Sequence, residues 1–324
     1  ISIPNQVIFI GSSAFNYNQL TEFSLPSPTA PGFIDWVDGN GNHYEAGAIA
    51  TDLSTYYKAS IPYILTDDDV EMDANGYIIS CSYNFAEKDI LIPEILDGIA
   101  VKGIGSDYSN LFYNKGITTV QLPSGIEELG DAAFGRNVLT GIDIPATVKV
   151  IGNSAFYLNR ITNLVIPEGV ESIGSTAFRE NQNLTSVTLP NSLTFMGERA
   201  FQYCRLNSVS IPGSLNRIES NVFANNGGLS SVTISNGVTY IGPSAFCCNY
   251  SLSSIELPNS LLTIATEAFR NSHLTGVTIP NSVTHIMKSA FDGNQFTSFL
   301  LPTPTLTGFV DWIDGNGNYY AGGE

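Results

Sequence analysis

Apolar residues in this chain fall into a phrase that recurs through most of its length. In the middle of the chain it reads LTSVTLPNSL, residues 184–193, and closes on Ala200-Phe201. Phe stands at positions 134, 156, 178, 201, 223, 246, 269 and 291, in steps of 22 or 23 residues. Eleven residues before these sit Pro123, Pro145, Pro167, Pro190, Pro212, Pro258 and Pro280, and only Ser235 breaks that row. Phe15 and Pro4 keep the same offset near the start. A fixed period of this size is the mark of stacked structural repeats.

Three elements are predicted within each period. The first is an L-x-x-V-x-L stretch: Leu139, Ile142 and Ile144; Leu184, Val187 and Leu189; Leu206, Val209 and Ile211; Leu252, Ile255 and Leu257. Its closing alternation predicts a strand with one face buried. The Pro that follows has no N–H to donate and suits a strand end. A second apolar pair predicts a second short strand: Val148 and Ile151, Val170 and Ile173, Val238 and Ile241. Gly130, Gly152, Gly174 and Gly242 come next, read as turn positions that need φ > 0. The Ala-Phe piece is short enough for a 3-10 turn. Three residues after each Phe runs another row: Asn137, Asn159, Asn181, Cys204, Asn226, Asn249, Ser272 and Asn294. A buried Asn must use its donors and its acceptor, so each is predicted to bond the backbone of the adjacent coil. A single coil cannot enclose its own apolar face, and the predicted fold is a β-rich solenoid of 22–23-residue coils sharing one interior. At a strand spacing of about 4.8 Å, its coils would span roughly 40 Å.

A second, longer period encloses the first. Residues 1–48 align with 277–324 without a gap: Ile3-Pro4 with Ile279-Pro280, Phe15 with Phe291, Leu25-Pro26 with Leu301-Pro302, Trp36 with Trp312. The phrase DWVDGNGNHYEAG at 35–47 thus returns as DWIDGNGNYYAGG at 311–323. The expected organisation is the last coil of an upstream array (1–26), a small β module (27–60), an opening, capping repeat (61–116), the solenoid (117–302) and a truncated second module (303–324). The chain is expected to be a piece of a longer repeat protein, because it opens inside a coil.

The stretch from Leu184 to Leu193, closing with Ala200-Phe201-Gln-Tyr-Cys204, resembles the BspA-like leucine-rich repeats of bacterial surface proteins. DILIPEILDGIAVKGIG, residues 89–105, resembles the opening repeat of such arrays, with three extra residues between Ile104 and Phe112. The resemblance covers about 61–302 and 1–26. It implies a leucine-rich-repeat solenoid, display at the cell surface or secretion, and adhesion or partner binding, and it names no partner. Gly32-Phe33, Trp36, Gly41, Tyr44, Gly47 and Tyr57-Lys58-Ala59 resemble the small Listeria–Bacteroides repeat. That likeness implies a miniature core of Phe33, Trp36, Tyr44 and Tyr57. Asp38-Gly39-Asn40-Gly41 is then a hairpin turn, since Asp-Gly and Asn-Gly favour type I′ geometry. The expected fold class is therefore a β-rich leucine-rich-repeat solenoid, coils of strand, second short strand and 3-10 turn, with a small β module inserted between arrays.

Charge narrows the partners. Lys plus Arg total 13 against 30 Asp plus Glu, a net −17 across 324 residues. That balance disfavours nucleic acid and anionic membrane surfaces, which need clustered basic residues. No apolar run approaches the ~18 residues of a membrane span, so no direct membrane insertion is expected. The chain starts at Ile1 with no charged or apolar leader pattern. Four Cys are too few for a disulfide scaffold.

Candidate chemistry is sparse. Asp38, Asn40 and Asn42 alternate as in a calcium loop, but His43 and Ile49 stand where Gly and Glu are wanted. Asp67, Asp68, Asp69, Glu71 and Asp73 read as a solvated loop before the strand at 77–79, with an incidental cation as the alternative. Adjacent Cys247 and Cys248 make poor geometry for a disulfide or zinc. Cys204, in the Asn row, reads as structural, and Cys81 as buried in a strand. His43, His273 and His285 lie near no nucleophile-and-acid pair in the repeat frame. Acids that could serve a glycosidase scatter over nonequivalent repeat positions. No enzyme activity and no cofactor are expected, with a carbohydrate-active enzyme as the weaker alternative. The outward strand positions are Thr119 and Gln121, Asp143, Asn163 and Val165, Ser186 and Thr188, Ser208 and Ser210, Ser231 and Thr233, Ser254 and Glu256, and Thr278. They are expected to line one continuous sheet face offered to an extracellular protein or glycan. The alternatives are a soluble β surface and a passive spacer.

Overall fold

A computed structural model describes residues 62–105 and 111–296, together with the backbone of short strands outside them. The chain divides into two compact units, 1–64 with 89–91 and 65–88 with 92–324. In the first unit, Phe9–Ile10, Tyr56–Lys58, Trp36–Asp38 and His43–Tyr44 form an antiparallel four-stranded sheet in that order. Trp36 faces Tyr44 across the pair. In the second unit Trp312 faces Tyr320, the same register 276 positions later. The turn residues 39–42, with Asn40 and Asn42, and the side chains of the expected miniature core lie outside the described residues.

The second unit winds into the solenoid. Strands one period apart pair parallel and in register. Asn163–Val165, Ser186–Thr188, Ser208–Ile211, Ser231–Ile234, Ser254–Glu256 and Gly276–Thr278 form a six-stranded sheet. The second apolar pair builds the other wall. Leu129, Ile151, Ile173 and Met196 follow one another across a seven-stranded sheet. Arg217–Ile218, Tyr240–Ile241, Thr263–Ile264 and His285–Ile286 continue the pattern as a four-stranded sheet. The alternation is burial: in Ser208–Ile211 the two Ser are exposed while Val209 and Ile211 are buried.

Between the walls the Phe residues form a column. Successive rings from Phe112 to Phe291 stack with centroids 5.3–5.8 Å apart. Phe156, Phe178 and Phe201 are spaced 5.3 Å apart, with planes within 6–7°. Ring stacking follows from the sheets: strands about 4.8 Å apart carry equivalent side chains at nearly van der Waals spacing.

Beside the Phe column runs the polar row, buried and bonded between coils. Asn181 donates Nδ2 hydrogens to the Phe156 and Phe178 carbonyls, both at 2.9 Å, and its Oδ1 accepts the Ile161 N–H at 3.3 Å. Asn137, Asn159, Asn226, Asn249 and Asn294 repeat the double donation. Where the row holds Cys204 or Ser272, a single side-chain donation to the preceding coil remains, Sγ to Phe178 O at 3.4 Å and Oγ to Phe246 O at 2.7 Å.

The Ala-Phe piece keeps the i→i−3 bond of a 3-10 turn without becoming a helix. Ala155 N–H bonds Gly152 O at 3.4 Å and Tyr157 N–H bonds Ser154 O at 3.0 Å. The intervening N–H groups point along the axis instead: Ser154 to Ser175 O at 2.9 Å, Phe156 to Ala177 O at 2.8 Å and Leu158 to Arg179 O at 2.9 Å. Two left-handed residues per coil make this alternation, at 55° for Ser154 and 52° for Leu158, and the pair recurs at Thr176 and Glu180 and at Arg199 and Tyr203. A non-Gly residue pays roughly 1–2 kcal/mol for that conformation, and the bonds to the next coil offset it.

The Gly row after the second strand is therefore not where positive φ is needed. Gly130 is required by close approach: a Cβ there would stand 1.8 Å from the Gly105 carbonyl oxygen. That backbone cannot retreat without stretching the 2.7 Å bond from Gly130 N–H to Ile104 O. Gly130→Ala is expected to cost about 1–3 kcal/mol, the usual range for overpacking. Gly141→Ala, where a Cβ meets nothing within 4 Å, should melt close to the parent chain in a denaturation series. Equal melting of the two variants would refute the close-approach account.

Candidate functional site

The six-stranded sheet presents the expected outward face. Asn163, Ser186, Thr188, Ser208, Ser210, Ser231, Thr233, Ser254, Glu256 and Thr278 are all exposed upon it. The face is neutral apart from Glu256, and its apolar member, Val165, is 64% exposed. Ser186 Oγ donates to Asn163 Oδ1 at 2.7 Å, so neighbouring coils hold one another's side chains. One position earlier, the Thr185, Ser230 and Thr275 hydroxyls donate to carbonyls of the preceding coil.

The face is shorter than the sequence pattern indicates. Asp143 is exposed, but residues 141–145 form no strand. Gly141 and Asp143 are both poor strand formers, and Pro145 withholds a donor. Thr119 and Gln121 lie in Thr119–Gln121, which belongs to a different sheet. The continuous array thus begins at Asn163.

A second feature lies on the edge made by the Ala-Phe turn and the chain that leaves it. Arg136 and Arg160 line one cleft of about 430 Å³. Arg205 and Tyr203 line another of about 490 Å³, and Gln182 borders both. Between them Arg179 lies between two aromatic rings, 5.7 Å from the Tyr157 centroid and 5.6 Å from that of Tyr203. Its guanidinium pairs with Glu180 at 2.8 Å, while its Nε is buried without a hydrogen-bond partner. Sequence reasoning missed this edge. The available signal was Arg recurring two or four positions after Phe134, Phe156 and Phe201.

Several of the remaining candidates make local contacts. Asp69 accepts the Thr66 N–H and hydroxyl at 2.9 and 2.7 Å, and Asp67 accepts the Asp97 N–H at 2.7 Å. Asp73 caps a turn; the Tyr77 N–H, with help from Asn75, holds its carboxyl below the usual range. No group of three or more ligating side chains is placed to hold a metal ion among the described residues. Cys81 ends the strand Tyr77–Cys81 and is half-buried rather than fully enclosed. Burial pushes the Cys204 thiol up to about 12, which makes it a poor nucleophile. The Cys247 and Cys248 sulfurs are 2.8 Å apart; burial first, then the neighbouring thiol, pushes Cys247 up to about 12. His273 packs against Tyr250 at 5.5 Å, and His285 Nδ1 meets the Thr284 hydroxyl at 2.8 Å. His43 side-chain geometry lies outside the described residues.

Comparison with known proteins places this geometry. The BspA type leucine-rich repeat region matches the chain in 6 copies over residues 1–30, 106–229 and 218–308. A leucine-rich repeat protein of T. pallidum is 21% identical, with a TM-score of 0.50 over 59% of this chain and 91% of that one. A leucine-rich cell surface protein of Faecalibacterium prausnitzii A2-165 is 20% identical, with a TM-score of 0.42 over 76% of this chain and 90% of that one. A leucine-rich repeat protein of Bacteroides ovatus is 18% identical, with a TM-score of 0.30 over 84% of this chain and 94% of that one. No curated protein matches the chain. The repeat matches extend over more than half of the sequence, and its Phe column and Asn row connect coil to coil: the chain belongs to the BspA type leucine-rich repeat family.

Proposed function

We propose that this chain is a non-catalytic binding or adhesion module of a cell-surface or secreted protein, presenting its six-stranded sheet face to an extracellular protein or glycan. The observation that carries the reading is that face: small polar side chains, exposed in register over six strands and held by bonds between coils. Such a surface is rigid before a partner arrives, so little ordering entropy is lost on binding. The surface location rests on the family resemblance. No helix of the described residues is long and apolar enough to cross a membrane.

The test is a screen of extracellular matrix proteins and glycans against the parent chain and a Ser208→Arg, Ser231→Arg double variant. Both positions are exposed, so the fold should survive. A specific binder that weakens at least tenfold with the double variant is the expected result. A binder indifferent to the double variant refutes the sheet-face reading, and no binder across the panel favours a passive spacer. Glycan turnover abolished by replacing a single acid would show an enzyme instead.

A further inference from the structure

We infer that the turn edge around Arg136, Arg160 and Arg205 is a binding site for an acidic linear polysaccharide, separate from the sheet face. The chain as a whole is strongly acidic, with 30 Asp plus Glu against 13 Lys plus Arg. On this edge the balance reverses. Arg136 and Arg160 share one cleft and Arg205 lines the next, yet Glu180 is the one acidic residue lining either, among the described residues. Glu180 is already neutralised by Arg179 at 2.8 Å. The other three guanidiniums are exposed, and none forms an ion pair with a carboxylate among the described residues. Elsewhere Arg217 pairs with Glu219 and Arg270 with Glu267, both at 3.1 Å, while Arg199, which lines neither cleft, is also exposed and forms no ion pair among the described residues. Three unpaired guanidiniums gathered on one edge of an acidic protein leave a local need for anions.

The form of the edge points to a polysaccharide. Gln182 borders both clefts, so they are neighbours along successive coils, and each is open rather than an enclosed pocket. Neighbouring coils repeat at about 4.8 Å, and a linear polymer running along the axis can meet a new coil at each step. The rest of the lining is rich in neutral amides, including Asn114, Asn183, Asn207 and Asn225, which both donate to and accept from sugar hydroxyls. Tyr203, 43% exposed, adds an aromatic side chain to the lining, with Arg179 against its ring at 5.6 Å. Arg forks suit carboxylate and sulfate groups because two N–H donors can meet two oxygens. Repulsion from the acidic remainder is short-ranged at physiological salt, where the screening length is about 8 Å. Contacts within these neighbouring clefts therefore decide the outcome.

The experiment uses the whole chain and four immobilised probes: a sulfated polysaccharide (heparin), a carboxylated one (polygalacturonate), neutral dextran and single-stranded DNA. Binding to at least one acidic polysaccharide is expected, falling steeply as salt rises, with none to dextran and weaker binding to DNA. Arg136→Gln, Arg160→Gln and Arg205→Gln together should weaken it at least tenfold and leave the melting profile unchanged, because these side chains are exposed and unpaired. The Ser208→Arg, Ser231→Arg variant should not weaken it, which separates this site from the sheet face. No binding to either acidic polysaccharide at low salt, binding untouched by the triple variant, or DNA binding as tight as polysaccharide binding would each overturn the inference.

Discussion

Phe178→Ala is expected to lower stability by about 3–5 kcal/mol, the usual cost of emptying a buried Phe site. The ring is fully buried and stacks on Phe156 and Phe201 at 5.3 Å on either side. Removing it leaves two faces without partners in a backbone that cannot collapse, since both sheets and the turn ladder hold the coils at fixed spacing. The effect should reach beyond one coil. In a stacked array each repeat is stabilised through its neighbours, so a weak coil near the middle uncouples the two halves. A denaturation curve is expected to shift to lower denaturant and to broaden or split. Phe195→Ala provides the contrast: that side chain is 49% exposed, and its loss should cost well under 1 kcal/mol, as surface changes do. If the two variants unfold alike, the shared aromatic interior is not what holds the coils together.

Asn226→Ala should cost a similar amount for a different reason, about 3–5 kcal/mol from several unmet polar groups at roughly 1–3 kcal/mol each. Asn226 is fully buried. It donates to Phe201 O at 2.9 Å and Phe223 O at 3.1 Å, and accepts the Leu206 N–H at 3.1 Å. Alanine leaves these groups with no route to water. Leucine at this site should be no better, although it is more apolar. Serine is the informative variant, because Ser272 already occupies the row and satisfies Phe246 O through one hydroxyl. Asn226→Ser should recover a substantial part of the lost stability in the same denaturation series. Equal losses for serine and alanine would show that the row acts through volume rather than through its hydrogen bonds.

The repeat positions were legible because each has one environment. Phe156, Phe178 and Phe201 meet the same neighbours, so one residue type satisfies all three, and the column shows as a period. The Asn row was legible for the same reason: a buried amide between coils has few tolerated substitutes. The glycine row was misread in its cause. Gly130 is held by the Gly105 backbone across the coil boundary, a neighbour that no local turn rule includes. Left-handed backbone fell instead on Ser154, Leu158 and Glu180, residue types that carry no local mark of it. Their conformation is set by where the next coil's carbonyls lie.

The candidate surfaces divide along the same line. Exposed hydroxyl positions such as Ser208 and Ser231 could be placed on a strand face from alternation alone, because a strand sends successive side chains to opposite sides. The failure of the strand at Asp143 and the grouping of Arg136, Arg160 and Arg205 could not. Arg136 stands two positions after its Phe, whereas Arg160 and Arg205 stand four after theirs. They gather on one edge because the left-handed turn and the chain leaving it are brought together in the stacked coils. Periodicity along the chain thus specified a solenoid and its interior, since burial repeats with the coil. Which backbone atoms touch across coils, and which charges share an edge, depended on the lateral offset between windings, a quantity set only when they pack.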